Sequence, residues 1–294
     1  MKFAYYPGCS AVGTSADYEK STRVVCQDLG MSLVDLEDWN CCGSTPAHAV
    51  STELSAALCA RNLDIASQAG AEQVLTGCPS CLSNLRHAAH RLEDANFRTS
   101  VNGLLDNPLS EKLPEATSVM QSLVETFGLD LLAKRAAKKL KGIRLAPYYG
   151  CLMSRPAEIM NFEHPENPQL MENILKACGA DVLDFPLKTN CCGAAFGIPE
   201  RQVTAKLSGK ILQLAKNMEA DAIVVACPLC QMNLDLRQGQ AAKAMDTEFN
   251  IPVLYFTQIL GLAFGHYAKD LGFDKLCVSP EDLLKKMSLA TEVK

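Results

Sequence analysis

At 294 residues, with 48% hydrophobic and 21% charged side chains, the chain has the composition of a soluble globular protein with room for two domains. A net charge of −5 and a pI near 5.6 argue against a nucleic-acid binder. Fourteen cysteines are too small a share for a disulfide scaffold, and the opening Met1-Lys-Phe-Ala-Tyr-Tyr lacks the features of an export signal. A cytoplasmic location is therefore expected, and reduced thiols at regular spacings read as metal ligands or reactive groups.

In chain order, a short apolar run at residues 3–6 ends at Gly8-Cys9. A helix is expected over 16–29, stopped by Gly30. A strand over 32–36 leads into Asn40-Cys41-Cys42-Gly43, and a second helix over 52–69 stops at Gly70. A strand over 73–76 delivers Gly77-Cys78, and a helix begins in or just after Cys78-Pro-Ser-Cys81. Between the halves, residues 102–114 read as loop and 117–140 as helix, ending in the basic run Lys134, Arg135, Lys138, Lys139 and Lys141. That run reads as a solvated helix face favoured by the helix dipole, the alternative being a dock for an acidic partner.

The order then repeats. Residues 143–149 lead to Gly150-Cys151, and a helix over 168–178 stops at Gly179. A strand over 181–185 precedes Asn190-Cys191-Cys192-Gly193, a helix spans 200–218, and a strand over 222–226 delivers Cys227-Pro-Leu-Cys230. The most apolar stretch, 251–268, is interrupted by Pro252, Thr257, Gln258 and His266. It reads as a buried strand running into a core helix, and no membrane span is expected. The pattern predicts an α/β fold of two duplicated domains, each a small parallel sheet flanked by helices, related by a pseudo-twofold axis. The divisions are 1–96, a helical connector over 97–142, and 143–294. In parallel sheets functional loops gather at the carboxyl ends of strands, where every cysteine motif here falls.

Two five-cysteine sets result: Cys9, Cys41, Cys42, Cys78 and Cys81, then Cys151, Cys191, Cys192, Cys227 and Cys230. Thiolates suit zinc and iron–sulfur clusters. A Cys-x-x-Cys turn between strand and helix aims two sulfurs at one site, stiffened by Pro79 and Pro228. Adjacent cysteines point apart and serve poorly as two ligands of one tetrahedral ion. A cubane cluster takes four cysteines, so five imply either a cluster of other connectivity or a four-ligand site with a spare thiol. Structural zinc strands one thiol per half. A thioredoxin-like dithiol leaves the Cys-Cys pairs unexplained. Cys26, Cys59, Cys178 and Cys277 lie outside the pattern and read as buried cysteines without a role.

The arrangement Cys…Cys-Cys-Gly…Cys-Pro-x-Cys, present twice, resembles the cysteine-rich CCG domain family and, within it, the B subunits of heterodisulfide reductases. Tyr149-Gly150-Cys151 with Arg155-Pro156 and Pro165-Glu-Asn-Pro168 is similar to the same subunits. The resemblance implies a non-cubane [4Fe–4S] cluster on each five-cysteine set, the two facing each other across the pseudo-twofold interface. It implies a disulfide or persulfide substrate clamped between them and cleaved in two one-electron steps, each sulfur being captured by an iron. It also implies two partner chains of a heterodisulfide reductase-type complex, one ferredoxin-like and one flavin-containing. The residues agree on one point: the chain has no ferredoxin-type cysteine run and no G-x-G-x-x-G, so its electrons must come from elsewhere.

Two alternatives stand beside this reading: an iron–sulfur relay subunit of a hydroxy-acid (glycolate or lactate) oxidase complex, and a zinc-stabilised scaffold without redox chemistry. Among other polar residues, Arg155 is a candidate to hold an anionic substrate group, and His48 to protonate a leaving thiolate. Trp39 is a candidate shield for the first site.

Overall fold

The computed structural model describes residues 1–136 and 140–292. The first half runs Lys2–Tyr5 (β1), Ala16–Asp28 (α1), Ser32–Asp35 (β2), Ser44–Val50 (α2), Thr52–Gln68 (α3), Gln73–Thr76 (β3), Pro79–Arg91 (α4), Ala95–Asn102 (α5), Glu115–Ser118 (β4) and Val119–Arg135 (α6). The second runs Arg144–Tyr148 (β5), Ala157–Met160 (α7), Leu170–Ala177 (α8), Asp181–Val182 (β6), Arg201–Asn217 (α9), Ala222–Val225 (β7), Pro228–Asp235 (α10), Gln238–Met245 (α11), Val253–Tyr255 (β8), Phe256–Phe264 (α12) and Glu281–Glu292 (α13).

Each half builds one four-stranded parallel sheet, in the orders β2-β1-β3-β4 and β6-β5-β7-β8. Register pairs Tyr5 with Asp35 and Leu75, and Leu75 with Thr117; in the second sheet Tyr148 faces Val225 and Val224 faces Leu254. Central strands read as continuous apolar runs because helices cover both faces. Ala-Ile-Val-Val of β7 is buried at every position, whereas the edge strand β2 is mostly exposed. The stretch from 251 is the expected strand and core helix, with β8 and α12 buried throughout. Among the described residues no helix is long and apolar enough to cross a membrane.

Three elements depart from expectation. Residues 115–118 form the fourth strand of the first sheet, inside the segment expected to be a connector. Ser118 ends it and caps α6 at once, its hydroxyl accepting from the Gln121 N–H at 3.1 Å; Glu-Ala-Thr-Ser carries no apolar alternation to announce a strand. The helix that follows kinks at Gly128, where φ is +72°, and ends at Arg135. Arg135 pairs with Asp28 at 2.9 Å and lies over the Phe264 ring, so it belongs to a packed contact rather than to a solvated run. Lys138 and Lys139 of that run lie outside the described residues. The strand expected over 181–185 shrinks to two residues, because it is an edge with one neighbour and Pro186 follows.

The halves lock reciprocally. Helix α1 of the first packs on α12 of the second, and α8 of the second packs on α6 of the first. Since these helices hold matching places in the two element orders, the packing is that of a pseudo-twofold axis. At one contact Tyr18 stacks on Tyr255 with ring centroids 4.1 Å apart, and Ser21 bonds Thr257 at 2.8 Å.

Candidate metal centres

Both lone cysteines follow a central strand through a glycine. Gly8 and Gly150 hold φ of +73° and +70°, which residues with a Cβ resist. A Cβ would also stand 3.0 Å from the Cys81 Sγ at Gly8, and 2.8 Å from the Cys230 Sγ at Gly150. Glycine therefore lets the strand end lie directly on a thiol of the third motif. Just upstream, the Tyr6 and Tyr148 hydroxyls donate to the carbonyls of Asn40 (2.8 Å) and Asn190 (2.5 Å), tying the first motif to the second.

In each Asn-Cys-Cys-Gly turn the two thiols diverge. The Gly43 and Gly193 N–H groups point at the sulfurs of Cys41 (3.4 Å) and Cys191 (3.3 Å), both exposed cysteines. The next cysteine turns inward: Cys42 Sγ lies 3.6 Å from Cys81 Sγ, and Cys192 Sγ 3.5 Å from Cys230 Sγ. Cys78 and Cys227 are the N-cap residues of α4 and α10, with Pro79 and Pro228 opening the helices. Proline costs nothing there, since that N–H has no helical partner.

Crowded thiols compete for protons. The hydrogen bond with Cys81 pulls the Cys42 thiol down to about 6, and that with Cys151 pulls Cys191 down to about 6. Cys78 and Cys192 are lowered through Cys81 and Cys230, which are themselves pushed far up by the same bonds and by burial. Cys9 rises to about 11 by burial and its bond to Cys41, and Cys151 rises through Cys191. Part of each set ionises at the expense of the rest. A bound cation would let all of them ionise together.

The five thiols of the second set line one cavity of about 150 Å³, and Thr45 and Pro79 from the first half close it. The cavity therefore sits where the two motif-bearing faces meet. Among the described residues no three His, Cys, Asp or Glu groups stand in the geometry of a single-ion site. The second set's thiols border a space rather than a point, and soft donors around a space fit a multi-atom iron–sulfur group.

Asn84 and Asn233 escaped the sequence reading. Each lies one helical turn past the second cysteine of its Cys-Pro-x-Cys, and each Nδ2 approaches the inward thiol, Cys42 at 3.5 Å and Cys192 at 3.6 Å. The signal was available as a repeated Cys-Pro-x-Cys-x-x-Asn. His48 serves this arrangement: its Nε2 bonds Asn84 Oδ1 at 2.9 Å and its Nδ1 bonds Ser55 at 3.1 Å. Among the described residues Asn233 Oδ1, in the matching place of the second half, is buried without a partner.

Beside the second set is a buried cluster that the sequence reading also missed. Lys188 bonds Glu172 at 2.6 Å and the Pro168 carbonyl at 2.7 Å, and Glu172 accepts from the Tyr149 hydroxyl. The Lys188 carbonyl receives the N–H groups of Tyr149 and Gly150, so this ion pair anchors the Cys151 loop. Arg155 bonds Glu166 at 2.7 Å and Thr189 at 2.9 Å, and does not border the cavity. Trp39 packs edge-on against Tyr6, centroids 5.6 Å apart. Cys26, Cys59 and Cys178 are buried as expected. Cys277 is exposed, because it lies in a loop held by its backbone N–H to Asp235 at 2.8 Å rather than on a packed helix.

Comparison with known proteins agrees with this geometry. Residues 3–86 and 145–235 each match the cysteine-rich CCG domain. The membrane anchor subunit of 8-methylmenaquinol:fumarate reductase from Wolinella succinogenes is 34% identical over 93% of this chain and 95% of its own. The B chain of the ferredoxin/F420H2-dependent CoB–CoM heterodisulfide reductase of Methanosarcina acetivorans is 28% identical over 97% of both. A hypothetical protein of Helicobacter pylori shares the fold, with a TM-score of 0.77 at 17% identity over 95% of this chain. The chain spans about half, 52%, of that solved structure. With a matched domain in each half and two complete sets of thiols at the strand ends, the chain belongs to the cysteine-rich CCG domain family.

Proposed function

We propose that the chain is an iron–sulfur redox subunit that cleaves or forms a sulfur–sulfur bond where its two halves meet. Cys9, Cys41, Cys42, Cys78 and Cys81 would hold one cluster, and Cys151, Cys191, Cys192, Cys227 and Cys230 the other. One observation carries this reading: the cavity lined by the second five thiols is closed by residues flanking the first set's cysteines. Reducing a disulfide takes two electrons and two protons to give two thiols, and a cluster held on either side would supply one electron each. This gives the duplication a chemical reason. The electrons would enter from partner chains, for which a ferredoxin-like chain and a flavin-bearing chain are the expected types, and the substrate would be a disulfide or persulfide. Residues of this chain hold the geometry: Gly8 and Gly150 admit the sulfurs, Asn84 and Asn233 hydrogen-bond them, and the Lys188–Glu172 pair fixes the Cys151 loop.

The 34% identity to a component of a quinol:fumarate reductase favours a second reading, in which the sites relay electrons within a complex and bind no disulfide. Metal analysis and electron paramagnetic resonance of anaerobically purified protein separate the two. The expected result is about eight irons and eight sulfides per chain, with a new signal on adding a disulfide. Iron without a disulfide-dependent signal favours the relay. Zinc in place of iron overturns the redox reading.

A further inference from the structure

The second half carries a charge pattern that the first does not repeat. Helices α9 and α11 pack side by side, and neither contains an acidic residue. Arg201, Lys206 and Lys210 of α9 and Lys243 of α11 are exposed, and among the described residues none of the four is ion-paired. Lys216 differs, since it bonds the Glu248 carbonyl at 2.8 Å. Glu200 and Asp246 stand at the outer ends of the two helices. The matching helices of the first half, α3 and α5, carry Glu53 and Asp64 against Arg61 and Arg98, so their charges cancel. The fold therefore does not require a basic face here, and a chain of net charge −5 holds one against its overall sign.

Between the two helices lies a groove of about 500 Å³. Arg201, Lys206 and Lys243 line it, and Ala205 and Ala244 beside them are small enough to let another backbone come close. The Thr204 hydroxyl donates to the Gly193 carbonyl at 2.9 Å and the Ser208 hydroxyl to the Cys192 carbonyl at 3.0 Å, so α9 sets the groove beside the second cysteine set. Where α9 and α11 begin, Arg237 donates to the Gly197 carbonyl at 3.0 Å. The residues flanking this bond, Phe196, Ile198 and Leu236, are apolar and 46%, 84% and 61% exposed. Exposed apolar side chains next to uncommitted cations are the parts of a protein interface, an apolar centre with a charged rim.

We propose that the groove between α9 and α11 receives an acidic amphipathic helix of a partner chain. Its carboxylates would meet Arg201, Lys206 and Lys243, and its apolar stripe would meet the alanines of the groove and the exposed side chains at its head. An anionic bilayer offers the same charge but presents a broad plane, which does not enter a concave space between two helices. The shape of the groove favours the helix.

The test titrates the full-length holoprotein with a fluorescent synthetic peptide of glutamate and leucine placed at helical spacing, and reads the dissociation constant from anisotropy. Binding is expected, weakening as salt screens the charges. The paired reversal Lys206→Glu with Lys243→Glu is expected to weaken it at least tenfold. Reversing two exposed cations of the first half and the segment after it, Lys112→Glu with Lys141→Glu, is expected to leave it within twofold. All four side chains are exposed, so melting temperatures of both variants should match the unmodified protein. Equal weakening by the two pairs overturns the assignment to this groove, as does absence of peptide binding. Equal binding of a peptide of the same composition with its leucines scattered overturns the helix. Binding to phosphatidylglycerol vesicles that the Lys206 and Lys243 reversals abolish, with no peptide bound, makes this face a membrane contact and overturns the proposal.

Discussion

Asn84 and Asn233 occupy matching places beside Cys42 and Cys192, yet only Asn84 has its amide oxygen held, by His48. A held amide keeps its N–H on the sulfur; an unheld one is free to turn. Hydrogen bonds to ligand sulfur favour the more reduced, more negative state and raise a cluster's potential. His48 is thus a positioning residue acting through Asn84, and not a donor to a thiolate, since its ring nitrogens are engaged with Asn84 and Ser55. With a cluster on each five-cysteine set as proposed, the expected outcome of His48→Phe is a downward shift of one of two redox waves, with the other unmoved. A tenfold change in the one-electron equilibrium would read as about 59 mV. A merely structural role would lower melting temperature without separating the waves in this way, and both waves moving together would count against the assignment.

Among the elements, α1 carries the clearest electrostatic liability. Asp17, in its first turn, is buried where α1 meets α12; Gln258 donates to it at 3.4 Å, and a Cβ on Gly272 would stand 2.7 Å from its Cα. Burial lifts its carboxyl from 3.8 to about 6. The folded chain therefore holds this proton more tightly than the unfolded chain. Stability from this group is complete below pH 3.8 and is lost as pH rises through about 6, an effect of order 2–3 kcal/mol. Replacing Asp17 with Asn is expected to flatten the fall in melting temperature between pH 4 and 7, measured side by side with the unmodified protein. Parallel curves would show that Asp17 does not titrate in this window.

Most of these elements were legible because glycines stop the helices and apolar runs mark central strands. The exceptions share a cause. β4 has almost no hydrophobic signal and exists because β3 offers an open edge, while β6 is cut short by Pro186. The two-residue β6 and the exposed β2 are both outer strands, where pairing depends on neighbours rather than on local composition.

At the scale of the whole molecule, the reciprocal contacts α1–α12 and α8–α6 place a helix of each half against the other's core. Separating the halves would expose Tyr18, Tyr255 and the apolar length of α12 together. A fragment of residues 1–142 is accordingly expected to lack a cooperative thermal transition when produced alone. A sharp transition by circular dichroism would show instead that the first half folds independently.

The ten cysteines, the duplication and the parallel α/β class were all determined by the sequence alone, because motif spacing and strand–helix alternation are local and each occurs twice. Even the divergence of adjacent cysteines followed from chain geometry. Only the tertiary structure decided what stands around the thiols. Asn84 reaches Cys42 across 42 residues of chain, Lys188 meets Glu172 across 16, and Thr45 and Pro79 close a cavity belonging to the other half. Such contacts depend on how two finished sheets pack. A charged or polar side chain carries no local mark of the partner that packing will bring to it.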